Sequence, residues 1–353
     1  MAQNYVSIAG REIGPSYPPY IVAEMSGNHN GDFGRALALI EAAAQAGSDA
    51  VKLQTYTADT ITIDHDGPQF RIKGGIWNGR RLYDLYQEAH TPWDWHRKLF
   101  EKGHELGVHV FSAPFDATAV DFLLDLDTPA FKIASFEIGD LQLIERCAVT
   151  GKPLIMSTGM ANKSEIAEAV NTARRSGCEQ LILLHCVSGY PTKPKDANLH
   201  TISDLTNSFS AVSGLSDHTC GSAVSVAGVA LGACVIEKHF TLSRADGGPD
   251  AAFSLEPDEL RDLIHHCRTA WDALGKVHYD LKASEKGNQI FRRSLYVVAD
   301  VPAGEPLTLS NIRSIRPGFG MPPRNMGEVL GRLAARDLKR GDPLEWDMIE
   351  TDQ

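Results

Sequence analysis

Two histidines stand where chemistry is plausible. The stretches Gly214-Leu215-Ser216-Asp217-His218-Thr219 and Glu237-Lys238-His239-Phe240-Thr241 each end a short apolar run, residues 211–215 and 233–236. Side chains alternate faces along a strand, so Ser216 and His218 share one face, and Glu237 and His239 share another. The segment between them, 220–231, is small and mostly apolar and reads as a crossover helix. Strands joined that way lie side by side and parallel, which brings both imidazoles to one edge. Two neutral imidazoles there would hold a divalent metal and leave positions open for substrate. Ser216, Asp217 and Thr219 are expected to supply supporting hydrogen bonds around His218. Either histidine alone reads as the polar end of a strand; the pair, at the same place in consecutive units, favours a metal.

Two lysines sit in similar runs. In Val51-Lys52-Leu53-Gln54, Lys52 and Gln54 share a face; in Phe131-Lys132-Ile133-Ala134-Ser135-Phe136-Glu137, Lys132 takes one face, with Ser135 and Glu137 on the alternate one if the strand runs straight. Lysines within parallel strands are costly unless paired with anions. Phosphate or carboxylate is the expected partner, with Ser135, Ser157, Thr158 and Ser216 as neutral donors. An internal salt bridge to Glu24 or Glu237 would explain one lysine but not both. Glu24, followed by Met25-Ser26-Gly27-Asn28-His29-Asn30-Gly31, suits sugar hydroxyls; a plain glycine turn would explain Asn30 and Gly31 but not a carboxylate at a strand end.

The elements that must position these residues repeat. Apolar runs fall at 20–23, 50–53, 108–111, 130–134, 154–156, 181–184, 211–215 and 233–236, and segments of helical spacing lie between them. Asp32 and Asn162 precede two of those helices, and Gly47, Gly107, Gly151, Gly177 and Gly232 close helices before the next strand. Eight such units, after a hairpin at 5–13, predict an α/β protein with a closed (β/α)8 TIM barrel and its site at the C-terminal strand ends. The long loop 57–90, containing Trp77, follows the second strand and so sits on that rim, where it is placed to cap substrate. The barrel domain is expected over 1–283, a polar linker over 284–290 and a small β-rich module over 291–353. Within the module Asp300-Val301-Pro302-Ala303-Gly304-Glu305-Pro306-Leu307 resembles Asp337-Leu338-Lys339-Arg340-Gly341-Asp342-Pro343-Leu344, an internal repeat that predicts approximate two-fold symmetry.

With 353 residues, 43% hydrophobic and 22% charged, the composition is that of a soluble globular protein. A net charge of −11 argues against nucleic acid as the main partner but not against an anionic substrate held by a few focused cations. No apolar run is long enough for a membrane span, and the first residues show no signal peptide. Six scattered cysteines without a C-x-x-C pair suit reduced thiols in a cytoplasm. From Phe291 onward nine Lys and Arg balance nine Asp and Glu, so the whole net charge belongs to the barrel. A module of this size is marginal alone and is expected to lean on something, the barrel of a second subunit being one candidate.

These motifs, with Met156-Ser157-Thr158-Gly159-Met160 added, together resemble the sialic acid synthase family over nearly the whole chain. The C-terminal part, notably Arg313-Ser314-Ile315-Arg316-Pro317-Gly318, resembles its antifreeze-like (SAF) domain. Within the family, the stretch 24–30, the loop after the second strand, Ser243-Arg244-Ala245-Asp246-Gly247-Gly248 and Ala252-Phe253-Ser254-Leu255-Glu256-Pro257 look like pseudaminic acid synthases rather than N-acetylneuraminate synthases. The latter carry Asn where Ser188 stands here, shortly before Tyr190.

The resemblance implies condensation of phosphoenolpyruvate with an N-acetylated amino-sugar aldehyde. It implies Lys52, Gln54, Lys132, Ser135, Ser157 and Ser216 as phosphoenolpyruvate ligands, and His218 and His239 as ligands of a divalent ion, typically manganese, with magnesium or cobalt as alternatives. Glu24, Ser188 and Tyr190 would contact the sugar, Glu137 would transfer a proton, and Arg316 would reach the sugar from the module of a partner subunit in a homodimer. Legionaminic or neuraminate synthesis is the nearest alternative. A non-catalytic carbohydrate- or ice-binding protein is a poorer one, since between Phe291 and Glu350 Thr308 is the single threonine.

Overall fold

The computed structural model describes residues 5–350 and divides at Gly275 and Lys276 into two compact units. The first opens with an antiparallel hairpin, β1 (Val6–Ile8) and β2 (Arg11–Ile13), in register Val6 to Ile13. Eight parallel strands follow: β3 (Tyr20–Glu24), β4 (Ala50–Thr55), β5 (His109–Pro114), β6 (Phe131–Ile133), β7 (Leu154–Ser157), β8 (Leu181–Cys186), β9 (Val212–Asp217) and β10 (Val235–His239). They close in sequence order, with β10 pairing back onto β3. This is the TIM barrel, and each of the eight apolar runs overlaps one of its strands.

The helices between strands are α1 (Phe33–Ala46), then α2 (Ala58–Ile61), α3 (Leu82–Ala89) and α4 (His96–Leu106) between β4 and β5. They continue with α5 (Ala117–Asp125), α6 (Leu141–Ala148), α7 (Lys163–Arg175), α8 (His200–Phe209) and α9 (Ala223–Ala230), and α10 (Pro257–Leu274) closes the ring. Start signals act as the sequence predicts: Asp32 accepts from the Arg35 amide, and Asn162 forms a capping box with Glu165. The segment 57–90 is better ordered than a bare loop, because α2, a 3-10 turn at Pro68–Phe70 and α3 lie within it.

Alternation sorts the strands into two faces. Tyr20 and Val22 on β3, Ala50 on β4, Ile155 on β7, Ile182 and Leu184 on β8, Val212 on β9 and Val235 on β10 form one apolar cluster with the hairpin residues Val6, Ile8 and Ile13. That cluster fills the barrel interior at its N-terminal end. Ile21, Ala23, Val51, Leu53 and Ile236 face outward into the layer beneath the helices. Carried two residues further, the inward parity reaches Glu24, Lys52, Ser157, Cys186, Ser216 and Glu237, so the apolar plug gives way to polar groups at the C-terminal mouth. Gly214 is inward too, and a Cβ there would lie 2.5 Å from the Val235 carbonyl and 2.7 Å from Leu184, so the interior has no room for a larger residue.

The second unit carries a 3-10 helix at Ala283–Phe291, spanning the segment read as a polar linker. It then has an antiparallel pair, β11 (Ser294–Val297) and β12 (Ile312–Ile315), and a short α11 (Met326–Val329). Its two repeats are related by the expected two-fold. Val301 and Leu338, equivalent positions, exchange backbone hydrogen bonds of 3.0 and 2.8 Å. The Gly304 amide donates to Ala334 as the Gly341 amide donates to Val297, both at 2.8 Å. Asp300 likewise caps the Arg340 amide as Asp337 caps that of Ala303. A small core of Leu295, Val301, Leu307, Leu338 and Leu344 lies between the repeats.

Candidate active site

The polar mouth of the barrel is a network of paired charges. Lys132 on β6 reaches across the barrel and donates to both oxygens of Glu237 on β10, at 3.0 and 3.1 Å. Ser216 Oγ, from the neighbouring β9, donates to the same carboxylate at 2.9 Å. Lys52 pairs with Glu24 on the adjacent strand, its register partner, and Gln54 donates to Glu24 Oε1 at 3.0 Å and to Ser26 Oγ at 3.1 Å. Both lysines therefore have internal carboxylate partners, and the expectation that at most one would is corrected. Desolvation is relieved by a countercharge within the barrel, in line with the cost of an unpaired buried ion.

Electrostatics divides the two carboxylates. Burial works to raise both, but Lys132 and then Lys52 outweigh it at Glu237 and hold that carboxyl low. At Glu24 burial prevails over Lys52, and the nearby Glu237 adds to it, so the carboxyl is pushed up to about 7. One of the two acids is thus firmly ionised and the other is poised near neutrality.

Glu137 is a third such acid. The strand carrying Lys132 ends at Ile133, and Ser135–Glu137 turn into a 3-10 helix, so neither Ser135 nor Glu137 lies on a straight continuation of β6. Burial pushes Glu137 up to about 7, and its Oε2 is buried without a hydrogen-bond partner. Ser135 Oγ accepts from the Gly159 amide at 3.1 Å, and Ser157 Oγ is buried and unpartnered. A Cβ on Gly159 would lie 2.4 Å from Ser188 Oγ and 2.6 Å from Ser135 Oγ. The hydroxyls of Ser135 and Ser188 thus converge on a bare glycine, a cradle suited to small anion oxygens. Thr158 is turned away, its hydroxyl donating to the Leu184 carbonyl at 3.2 Å.

The two imidazoles do meet, with ring centroids 5.3 Å apart. His218 Nδ1 lies 3.0 Å from the Val187 carbonyl; a carbonyl only accepts, so the proton sits on Nδ1 and Nε2 keeps its lone pair. Burial works against the charged form of His218, but Cys186, with Sγ 3.8 Å from Nδ1, and the Val187 carbonyl shift the balance upward. His239 is held well below the ordinary range by burial and by His218, and its Nδ1 is buried without a hydrogen bond, 4.0 Å from Asp250 Oδ2. The supporting groups are not those expected: Ser216 serves Glu237, and Asp217 points outward to Lys238. Among the described residues no cluster of three or more His, Cys, Asp or Glu forms a complete metal cage. Two imidazoles with a free lone pair and an orphaned nitrogen fit an ion that takes its remaining ligands from substrate and water.

Tyr190 covers the pair, its ring centroid 4.4 Å from His218 and 6.2 Å from His239. Phe253 lies 5.4 Å from Tyr190 and 4.9 Å from His239, and Trp77 lies 5.6 Å from Tyr190. Trp77 also donates its indole N–H to the Pro249 carbonyl at 2.9 Å, so the segment 57–90 does reach over the mouth. Asp250 escaped the sequence reading, although it follows Gly247-Gly248-Pro249 just past the last strand. It is buried, accepts a hydrogen bond from Ser26, and burial raises its carboxyl. Arg316 lies at the end of β12 in the second unit and is exposed.

Charged and imidazole side chains gathered at the C-terminal mouth of a (β/α)8 barrel define an enzyme site. The sequence pattern of the NeuB family matches residues 39–279 and that of the SAF domain residues 292–350, and the chain belongs to the NeuB family. It is 42% identical to a pseudaminic acid synthase of Helicobacter pylori, over 94% of this chain and 98% of that one. It is 34% identical to an N,N'-diacetyllegionaminic acid synthase of Legionella pneumophila, over 96% of both chains. Among solved structures, an N-acetylneuraminic acid synthetase of Leptospira borgpetersenii superposes with a TM-score of 0.73 at 32% identity, covering 82% of this chain and 95% of that one.

Proposed function

We propose that this chain is a pseudaminic acid synthase, condensing phosphoenolpyruvate and water with 2,4-diacetamido-2,4,6-trideoxy-L-altrose to give pseudaminic acid and phosphate. The observation that carries this reading is the 42% identity to pseudaminic acid synthases over 94% of the chain. In the reaction C3 of phosphoenolpyruvate bonds to the aldehyde carbon, the aldehyde oxygen takes a proton, water adds at C2 and phosphate leaves.

Lys52, Gln54, Lys132, Ser135, Ser157 and Ser216 hold phosphoenolpyruvate. The two lysines already have carboxylate partners, so a further anion needs compensation. Glu24 supplies it, because a carboxyl poised near 7 takes up a proton and leaves Lys52 to the incoming anion. Glu137, an acid up to about 7, donates to the aldehyde oxygen and then receives a proton from the attacking water. Glu24, Ser188 and Tyr190 bind the sugar, whose 6-methyl meets the aromatic group of Trp77, Tyr190 and Phe253. His218 and His239 hold a divalent ion, manganese before magnesium or cobalt, which when bound polarises the aldehyde and orients it.

The C-terminal module, neutral from Phe291 onward and with Arg313 and Arg316 exposed, completes the site of a partner in a homodimer, where the planar guanidinium of Arg316 meets the sugar's N-acyl oxygen. Six free cysteines accord with a reducing cytoplasm, and no helix among the described residues is long and apolar enough to cross a membrane. A legionaminic or neuraminate synthase would use the same machinery on another sugar, and the 34% relative keeps that reading second.

The purified protein is expected to release phosphate from phosphoenolpyruvate only with an acetamido sugar and manganese. Excess chelator abolishes release, added manganese restores it, and His218→Ala and His239→Ala each stay inactive. Sugar-independent release, or full turnover in chelator, overturns the reading.

A further inference from the structure

Directly behind the two imidazoles lies a buried ion pair that the reaction does not use. Asp217 and Lys238 are register partners on β9 and β10, and each immediately precedes a candidate metal-binding histidine. Alternation turns His218 and His239 into the barrel and turns Asp217 and Lys238 outward beneath α9. Lys238 Nζ lies 2.8 Å from Asp217 Oδ2, and both side chains are 1% exposed. The pair grips the chain on the far side of His218: Asp217 Oδ1 accepts the Thr219 amide at 2.8 Å, and Lys238 Nζ donates to the Thr219 carbonyl. Ser225 of α9 donates to Asp217 Oδ2 at 2.6 Å. On the near side, the His218 carbonyl accepts the Thr192 amide at 2.9 Å. The backbone that carries one imidazole is therefore tied to the residue adjacent to the other.

A fully buried ion pair adds little net stability over apolar residues of like volume, so stability alone does not account for one here. Its hydrogen bonds instead link the ends of two strands at the one place where their spacing sets the distance between two rings. We propose that the Asp217–Lys238 pair is a positioning clamp that holds His218 and His239 at metal-binding separation. The clamp rests on the assignment of those histidines as metal ligands.

The test is manganese affinity of the full-length protein without substrate, read by the electron paramagnetic resonance signal of free Mn2+ and by titration calorimetry. The double variant Asp217→Leu/Lys238→Met keeps similar side-chain shapes and removes the clamp without stranding a charge. It is expected to melt as a folded protein and to bind Mn2+ about 10–100-fold more weakly, the usual effect of losing outer support for metal ligands. Unchanged affinity in the double variant overturns the clamp and leaves the metal site standing. If His218→Ala/His239→Ala binds Mn2+ as wild type does, the ligand assignment itself falls, and the clamp with it. Should the double variant not fold, Ser225→Ala, which removes one bond to Asp217, is expected to weaken Mn2+ binding in the same direction, and no weakening there overturns the clamp.

Discussion

Three acids in the barrel mouth share a chemistry and differ in state. Glu237, beside Lys132 and Ser216, stays ionised, whereas Glu24 and Glu137 are pushed up to about 7 by burial. A carboxyl whose pKa is raised on folding binds its proton more tightly in the folded state. Its contribution to stability is therefore full below its ordinary range near 4.5 and is lost as pH rises towards 7. The same group serves as an acid only below about 7, so turnover is expected to fall as pH rises through that value. Glu137→Gln is expected to lower kcat about 10²–10⁴-fold and to remove that alkaline limb. A limb that persists unchanged in the variant assigns it to another group, Glu24 first. At this scale the sequence was half legible. Lys52, Lys132 and both histidines stand out in apolar runs. Glu24 and Glu237 could be named as carboxylates for an internal salt bridge, but not that each takes a lysine: Glu237 lies 105 positions from Lys132, and only closure of the barrel joins them. The Asp217–Lys238 pair was hidden for a related reason, since a charge beside a conspicuous histidine invites a role towards that histidine rather than away from it.

The elements were more legible than their connections. Strands buried on both faces read as continuous apolar runs, which is why all eight barrel strands could be placed from composition alone. Helix starts at Asp32 and Asn162 followed from cap chemistry. The 3-10 turn at Ser135–Glu137 has no such signal, and it is what swings Glu137 out of strand geometry. The segment 57–90 was legible in position but not in content. Its Trp77 indole bonds the Pro249 carbonyl and packs on Tyr190. Trp77→Ala is expected to raise KM for the sugar about tenfold, the equivalent of one hydrogen bond, with KM for phosphoenolpyruvate changed less than about twofold. Steady-state kinetics with each substrate varied in turn checks this. Equal rises in both constants would mean that the segment supports the whole mouth rather than the sugar.

At the scale of the molecule, charge is divided: the net −11 lies in the barrel, and the C-terminal module, with its internal two-fold, is neutral. If Arg316 completes a partner's site, Arg316→Ala and His239→Ala are each inactive alone. Refolded together they regain up to about a quarter of wild-type activity, because random pairing makes half the dimers mixed and each mixed dimer has one intact site. A mixture that stays inactive, while wild type survives the same treatment, rules out sharing in trans. The choice of sugar is the central claim, and it is tested most directly by the specificity constants, kcat/KM, for 2,4-diacetamido-2,4,6-trideoxy-L-altrose and N-acetylmannosamine measured in one phosphate-release assay with manganese. A single hydroxyl exchanged for a methyl is worth only about 1–3 kcal/mol in a pocket, but these sugars also differ in an acetamido group and in ring stereochemistry. The expected result is a preference of at least about a hundredfold for the 6-deoxy diacetamido sugar; comparable constants for the two would contradict the pseudaminic assignment.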